Sequence, residues 1–262
     1  MNSEQFLGKI AIITGAANGI GLAAVARFAR DGADIVAVDL PGVSFADAIA
    51  AANASGSNVL TVEADVSQPA DWATVVEKAL EEFGRIDILI NNAGIFGVIG
   101  RFEETSIDLF DNVMNVNVRG TFLGMQAVIP TMRAQGGGHI VNVSSISGER
   151  GSARATAYVT SKHAVNGLTQ CVALDVIRDG IHVNAVAPAP TDTNMVRLLE
   201  NSAKKRLSVD NEAARKMLEN NMIIGRYGQP AEIAAVMAFL CSADASFMTG
   251  AIVPVDGGTL AR

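Results

Sequence analysis

The stretch Thr14-Gly15-Ala16-Ala17-Asn18-Gly19-Ile20-Gly21 follows a short apolar run at 10–13 and precedes an amphipathic stretch at 20–30. Its glycines permit a tight turn, a close approach of the backbone to a pyrophosphate, and tight packing of a helix on a strand. Free N–H groups at the start of the helix favour an anion. This strand–turn–helix pattern predicts a dinucleotide site, with cofactor contacts from Gly15, Asn18, Gly19, Ile20 and Gly21.

Apolar runs and amphipathic stretches alternate along the rest of the chain. The apolar runs, rich in β-branched residues, lie at 35–38, 88–90, 140–143, 182–186 and 252–255, and the helical stretches at 71–83, 110–133, 157–178 and 230–240. Continuous apolar strands are typical of a parallel sheet that is buried on both faces. The pattern predicts an α/β fold: a single doubly wound Rossmann-type domain at 1–262, with a central, mostly parallel sheet of about seven strands.

Residues 188–228 interrupt this alternation, because they contain two amphipathic helical stretches where a short loop would be sufficient. Insertions after the strands of such folds often cover the site, so we expect a substrate lid at about 188–228. The apolar residues of the segment either pack in the core, as their helical spacing indicates, or form the roof of an apolar pocket. They are Met195, Leu198, Leu199, Met217, Leu218, Met222 and Ile223.

Composition excludes several classes of function. The 262 residues carry a formal net charge of -7 and no basic cluster along a helical stretch, so we expect no nucleic-acid partner. We also expect no membrane span, because no uncharged apolar run is long enough, and residues 1–8 do not resemble a signal peptide. Cys171 and Cys241 lie among apolar neighbours, which predicts reduced core residues of a cytoplasmic protein. The three scattered histidines predict no metal site.

Asp39 indicates which dinucleotide is used. It ends the second apolar run, 18 positions after Gly21. A carboxylate at this point accepts hydrogen bonds from the adenosine ribose and repels a 2′-phosphate. No lysine or arginine occupies positions 16–18 or 40, where a 2′-phosphate would need a cation. NAD is therefore predicted over NADP, and the alternative is a solvated carboxylate at the end of a strand.

Tyr158 and Lys162 are four positions apart on a helical stretch, so their side chains share one face. A free phenol has a pKa near ~10, and a fixed cation nearby favours the phenolate and lowers that pKa. Such a tyrosine can exchange a proton with an alcohol oxygen. The spacing also occurs on ordinary solvated helices, so the interpretation depends on the other motifs of the chain.

Taken together, the motifs resemble those of the short-chain dehydrogenase/reductase family over essentially the whole chain. Their order and spacing carry the resemblance, including the 13 positions from Ser145 to Tyr158. The resemblance implies an enzyme that transfers a hydride between NAD and a secondary alcohol or ketone, and a homotetramer. The matching residues are 14–21, Asp65-Val66, Asn91-Asn92-Ala93-Gly94, Asn117, Ser145, Tyr158, Lys162, Pro188, Thr193 and Asp256-Gly257-Gly258.

The resemblance implies four catalytic residues. Tyr158 would be the general acid and base, and Ser145 would donate a hydrogen bond to the substrate oxygen. Lys162 would bind the nicotinamide ribose and favour the phenolate of Tyr158. Asn117 would hold a water that links Lys162 to solvent. Two alternatives remain: Ser144 in place of Ser145, although alternation along a strand directs only one of them to the site, and Asn117 as a core amide that bends its helix.

The family pattern also implies further cofactor contacts. Asp65 and Val66 would flank the adenine, and Asn92, Ala93 and Gly94 would line the cofactor cleft, while Asn91 would tie strands together. Pro188, Thr191 and Thr193 would lie at the nicotinamide. The chain has Pro188-Ala189 where the family usually has Pro-Gly, and an alanine that precedes a proline favours extended geometry.

The substrate is the least constrained part of the prediction. The apolar lid predicts a small or medium apolar secondary alcohol, possibly cyclic, and Ile95, Phe96, Ser147, Arg154 and Thr156 flank the catalytic residues. A 3-oxoacyl carrier-protein reductase is a rival of the same fold, but Asp39 disfavours the NADPH that it would use. A rival of another class is a sensor that binds NAD without turnover.

Overall fold

The computed structural model describes residues 5–220 and 222–261, so Met1–Glu4, Asn221 and Arg262 of the expected domain lie outside it. Its centre is a sheet of seven parallel strands in the order β3-β2-β1-β4-β5-β6-β7. This α/β architecture confirms the predicted fold class. The strands are β1 (Ile10–Thr14), β2 (Asp34–Asp39), β3 (Val59–Glu63), β4 (Ile88–Asn91), β5 (Gly138–Val143), β6 (Ile181–Pro188) and β7 (Ile252–Val255).

The inner strands are the continuous apolar runs of the sequence, because both of their faces are covered by helices. Every residue of β1 and β4 is buried. Ile12 of β1 is in register with Val36 of β2 on one side and with Leu89 of β4 on the other. The chain changes direction across the sheet between β1 and β4, which opens a crevice at the carboxyl ends of these strands.

The helices form a layer on each face of the sheet. Phe28 of α1, Ala48 of α2 and Met237 of α9 pack in one core. Trp72 of α3 and Met125 of α5 pack in the other, together with the end of α6. The helices are α1 (Gly19–Arg30), α2 (Ala46–Asn53), α3 (Pro69–Phe83), α4 (Ile107–Met114), α5 (Gly120–Gln135), α6 (Thr156–Val176), α7 (Asn194–Leu207), α8 (Asn211–Asn220) and α9 (Pro230–Leu240).

Three local predictions need correction. The helix expected at 110–133 is divided, because one π-helical turn, Asn115–Arg119, separates α4 from α5. The sequence interpretation also missed β3 and α2. Cys171, expected in the core, is exposed on the outer face of α6, while Cys241 is buried as expected. The inward face of α6 is formed by residues such as Val165, Thr169 and Ala173, which are spaced at three or four positions.

The segment at 188–228 leaves the sheet and returns to it at one narrow neck. The N–H of Gly228 donates to the carbonyl of Pro190 at 3.0 Å, and the N–H of Asp192 donates to the carbonyl of Gly228 at 2.9 Å. Between these contacts the chain forms α7 and α8, the two helices expected there. The segment is therefore an excursion whose two ends are hydrogen-bonded to each other.

Two kinds of feature are absent from residues 5–220 and 222–261. None of the helices there combines the length and the apolar character needed to cross a membrane. Within the same residues, no three His, Cys, Asp or Glu side chains are grouped so that they could hold a metal ion.

Candidate active site

A cavity of about 580 Å³ lies at the carboxyl ends of the strands, under the 188–228 segment. Gly21 and Asn117 are the expected site residues that do not line it. The expected residues that do line it are Gly15, Asn18, Gly19, Ile20, Asp39, Asp65, Val66, Asn92, Ala93, Gly94, Ser145, Tyr158, Lys162, Pro188, Thr191 and Thr193.

The glycine turn has a shape that side chains would prevent. Gly15 and Gly19 have φ values of 63° and 57°, in the left-handed region that favours glycine. A Cβ atom on Gly21 would lie 1.9 Å from the carbonyl oxygen of Gly15, so Gly21 supports the turn from behind. The side chain of Asn18 makes no capping bond to α1. The first N–H groups of α1 therefore face the cavity without a side-chain cap, which fits a pyrophosphate.

Asp39 is held rigidly beside this turn. One of its carboxylate oxygens accepts a hydrogen bond from the N–H of Ala17 at 3.0 Å, and the other accepts one from the N–H of Leu40 at 2.9 Å. Asp65 lies further along the same wall and accepts a hydrogen bond from the N–H of Ser67 at 2.9 Å. Each carboxylate oxygen of Asp39 accepts one hydrogen bond and retains a free lone pair, so its geometry fits the hydroxyls of an adenosine ribose.

Asn92 fastens β4 to the glycine turn as well as lining the cavity. Its side-chain amide donates to the carbonyl of Thr14 at 2.8 Å and to that of Gly15 at 3.2 Å. The hydroxyl of Thr14 accepts hydrogen bonds from the N–H groups of Asn92 and Ala93, both at 3.0 Å. Asn91 makes a tie between strands, because its amide donates to Asn142 at 2.9 Å.

Ser145, Tyr158 and Lys162 converge on the cavity from the turn after β5 and from α6. The hydroxyl of Ser145 donates to the carbonyl of Pro188 at a long 3.4 Å, a weak bond that it can exchange for another. The ammonium of Lys162 donates to the carbonyl of Val143 at 2.8 Å and lies 5.5 Å from the centre of the Tyr158 ring. The ring of Phe96 stacks on that of Tyr158, with 4.5 Å between their centres.

Burial moves the pKa values of both ionisable groups. The pKa of Tyr158 is raised because its ring is removed from water, and the nearby Ser145 hydroxyl acts in the opposite direction. Burial lowers the pKa of Lys162 to about 8. In the protein alone the pKa of Tyr158 is therefore raised, and not lowered as predicted, because the effect of burial outweighs that of the Ser145 hydrogen bond.

Asn117 lies in the π-helical turn, and its side chain reaches Ser161 of α6, between Tyr158 and Lys162. Its side-chain oxygen accepts a hydrogen bond from the N–H of Ile95 at 2.8 Å. Its side-chain nitrogen donates to the carbonyl of Ile95 and to the hydroxyl of Ser161, both at 2.9 Å. Both donor hydrogens are thus used within the protein. The side chain matches the alternative of a core amide in a distorted helix. A water at Asn117 could therefore bind only to an oxygen of this residue, as a hydrogen-bond donor.

The far end of the cavity contains residues that the sequence interpretation did not select. Arg154 and Thr156 do not line it, whereas Ile95, Phe96 and Ser147 do. Of the lid residues, Met195, Leu199, Leu218 and Met222 line the cavity, and Leu198, Met217 and Ile223 are exposed. Tyr227, which is 1% exposed, is the largest unselected side chain, and the return of the chain at the neck brings it to the cavity. The other lining residues that were missed include Ile146, Arg150, Ser152 and Thr259.

Comparisons with known proteins agree over nearly the whole chain. A family model described as enoyl-(acyl carrier protein) reductase matches residues 15–259. Levodione reductase of Leifsonia aquatica is 41% identical, over 98% of this chain and 96% of that protein. A crystal structure of levodione reductase aligns with a TM-score of 0.93 at 39% identity, over 98% of this chain and 99% of that one. Cyclohexanol dehydrogenase of Acinetobacter sp. (strain SE19) is 36% identical, over 97% of this chain and 96% of that protein. A crystal structure of NAD+-bound xylitol dehydrogenase has a TM-score of 0.91 at 34% identity, over 97% and 100% of the two chains.

Proposed function

Since the chain belongs to the short-chain dehydrogenase/reductase family, and so is an NAD-dependent oxidoreductase of alcohols and ketones, we propose that it oxidises an apolar secondary alcohol reversibly through Ser145, Tyr158 and Lys162. The observation that carries the proposal is the convergence of these three side chains on one cavity that also contains the glycine turn and Asp39.

The cofactor would extend along the cavity from Asp39 to Thr193. The carboxylate of Asp39 would bind the adenosine ribose, and the N–H groups at the start of α1 would bind the pyrophosphate. Asp65 and Val66 would contact the adenine. Bound NAD would accept the hydride from the alcohol carbon and would bring the positive charge of its nicotinamide ring to the site.

The protein's own part of the reaction is the proton transfer. Ser145 would exchange its long bond to Pro188 for one to the alcohol oxygen and so hold it beside the phenol. Tyr158 would take the hydroxyl proton during oxidation and return it during reduction. The ammonium of Lys162 would bind the nicotinamide ribose and oppose the rise that burial causes in the pKa of Tyr158. Phe96, stacked on Tyr158, would fix the orientation of the ring.

The walls of the far end support an apolar substrate. Ile95, Leu199, Leu218 and Met222 present apolar side chains, and Tyr227 presents an aromatic ring. A cavity with flat aromatic and flexible aliphatic walls suits a small or medium alcohol, and a ring is compatible with that shape. We include the lid role of 188–228 in the proposal, because this segment supplies most of these walls.

Turnover with different alcohols tests the proposal. The formation of NADH from NAD, and then of NADPH from NADP, would be measured with cyclohexanol, sec-butanol and xylitol. We expect cyclohexanol and sec-butanol to be oxidised with NAD, and Tyr158→Phe to lower kcat about 10²- to 10⁴-fold while NADH still binds. Thr160→Val is the matched control, because it removes an exposed hydroxyl from the same helix.

Two results would contradict the proposal in different ways. Oxidation of xylitol alone would replace the apolar substrate by a polyol. NADH binding without turnover of any alcohol or ketone would favour the sensor.

We further propose that the protein is a cytoplasmic homotetramer. Phe122 of α5 and Leu174 of α6 are exposed on the two longest helices, and Phe239 and Phe247 are exposed near the edge strand β7. Closed symmetric pairing through these two faces would bury the apolar side chains and cover the free edge of the sheet.

A further inference from the structure

Asp192 lies between Thr191 and Thr193, the residues proposed to contact the nicotinamide, where the lid segment leaves the sheet. Its N–H donates to the carbonyl of Gly228, so its backbone is part of the neck. Its side chain is 23% exposed. The family resemblance gave this residue no role, and the proposed chemistry does not use it.

The carboxylate of Asp192 holds both lid helices. One oxygen accepts a hydrogen bond from Arg197 of α7, and the other accepts one from Arg215 of α8 at 3.2 Å. Each arginine also bonds a carboxylate of its own helix at 2.8 Å, Arg197 that of Glu200 and Arg215 that of Glu219. The two helices are therefore joined electrostatically through one carboxylate. This carboxylate lies outside both helices, in the loop of Thr191 to Thr193 that precedes α7.

Arg215 connects this attachment to the substrate end of the cavity. Its guanidinium carbon lies 5.2 Å from the centre of the Tyr227 ring, within the range of a cation–π contact. Tyr227 is buried and lines the cavity. The guanidinium that Asp192 holds therefore packs against a side chain of the cavity wall.

Thr193 connects Asp192 to the cofactor end. A Cβ atom placed on Gly19 would lie 3.2 Å from the side-chain methyl of Thr193, so Thr193 packs directly on the glycine turn. A displacement of Asp192 would move its neighbour Thr193 against that turn. The two ends of the cavity are therefore joined through one residue.

A purely stabilising role does not explain this arrangement well. Ion pairs as exposed as these contribute little to stability one at a time. They can still hold an orientation, and their attraction grows when a ligand removes water from the adjoining cavity. A shared carboxylate then transmits the position of one helix to the other and to the loop.

We propose that Asp192 is a positioning residue that couples closure of α7 and α8 over the alcohol to the placement of Thr191 and Thr193 against the nicotinamide. The proposal rests on the proposed function, because the two coupled ligands are NAD and the alcohol. Coupling of this kind is reciprocal, so each ligand must tighten the binding of the other.

The kinetic test uses Asp192→Asn, which removes the charge at nearly constant size, with cyclohexanol as the probe. We expect the KM for cyclohexanol to rise about tenfold and kcat to stay within about threefold, since the catalytic groups are untouched. Asp192→Glu should recover part of the loss. Asp210→Asn is the matched control, because Asp210 caps α8 by accepting from the N–H of Ala213 and lies within the same segment.

A second test does not depend on turnover. Trypsin would be used to cleave after the exposed Lys204 and Lys205 of α7, with and without NADH. We expect NADH to slow this cleavage in the native protein and in Asp210→Asn, but not in Asp192→Asn. Arg215→Met removes the α8 end of the attachment and should reproduce both effects, so it also carries the test if Asp192→Asn does not fold.

The results separate the coupling from the proposed function. An unchanged KM in Asp192→Asn, or equal protection by NADH in all variants, would overturn the coupling. A merely structural role would lower kcat and leave KM unchanged. If the native protein does not oxidise cyclohexanol but NADH protection is lost in Asp192→Asn, the substrate class is wrong and the coupling stands.

Discussion

The shape of the glycine turn depends on the absence of a single atom, the Cβ atom, at Gly21. The residue does not line the cavity, yet no other residue type fits, because its α-carbon faces the carbonyl of Gly15 and the side chain of Asn92. A change at Gly21 must therefore displace the turn that presents the N–H groups of α1.

Gly21→Ala should abolish tight NADH binding. The new methyl group would lie 1.9 Å from the oxygen of Gly15 and 2.6 Å from the side-chain nitrogen of Asn92, so the turn has to open. We expect the NADH dissociation constant, measured by fluorescence titration, to rise at least about tenfold, the loss expected for a displaced positioning element. Gly100→Ala is the control, because its Cβ atom would meet only Glu104, at an ordinary 3.7 Å. Equal affinities in the two variants would contradict this account of the turn.

Ser145, Tyr158 and Lys162, the residues proposed to be catalytic, could be selected from the sequence because their spacing matches the family pattern. Their electrostatics could not, because the pKa of Tyr158 depends on how much water reaches the ring, and spacing does not report burial. For the same reason Tyr227 was missed. It reaches the cavity only through the return of the chain at the neck.

At the scale of elements, the sequence predicts best the strands that are mostly apolar along their length. β1, β2 and β4–β7 appear as apolar runs, whereas β3 is an edge strand whose last residue, Glu63, is exposed. α2 has eight residues, mostly alanine, and so has little amphipathic pattern to detect. The π-helical turn also escapes detection, because one additional residue in a turn shifts the helical period without changing the composition.

The pairing of β5 with β6 gives a pH-dependent stability. It places His139 opposite His182, with the ring centres 5.3 Å apart. The pKa of His139 is lowered to about 4, first by burial and then by the charges of His182 and Lys9, which Asp87 opposes. As the pH falls, His139 therefore binds its proton at a lower pH in the folded protein than in the unfolded chain. The resulting stability is present above the unfolded pKa of about 6.5 and is lost as the pH falls from there towards 4.

His139→Gln should reduce the loss of stability in acid. The difference between the folded and unfolded pKa of His139 corresponds to about 3 kcal/mol in the free energy of unfolding. Partial exposure of the ring reduces the expected effect to about 1–2 kcal/mol. Urea unfolding of the native protein and the variant at neutral pH and near pH 5 measures the difference. His163→Gln, at an exposed histidine of α6, is the control and should leave the acid effect unchanged. Identical acid losses in the native protein and His139→Gln would exclude this histidine as a source.

At the scale of the whole molecule, two exposed apolar side chains support the proposed tetramer. Leu174 on α6 is 78% exposed, and Phe247 near β7 is fully exposed. The two residues lie on the faces that we propose to pair, so each should stabilise one interface of a tetramer.

Leu174→Glu and Phe247→Glu should each convert the tetramer to dimers, and the double variant should be monomeric. A buried glutamate without a partner is costly at an apolar interface, which is the physical reason for the dissociation. Light scattering gives the masses directly. Leu7→Glu is the control, because Leu7 is 69% exposed but lies in the turn before β1, outside α5, α6 and the region near β7. A native protein that scatters as a monomer would refute both interfaces.

The hydrogen-bonded neck between Pro190, Asp192 and Gly228 allows two parts of the molecule, the excursion and the sheet with its helices, to evolve independently of each other. Because the chain leaves and rejoins the sheet at adjacent points, we expect that residues 194–227, which follow Thr193, can be exchanged for another segment without altering the path of β6 or the start of α9. Selection for a new alcohol can then act on the excursion while the dinucleotide frame is preserved. A chimera that carries the corresponding excursion of a relative would acquire that relative's substrate choice and keep its own cofactor.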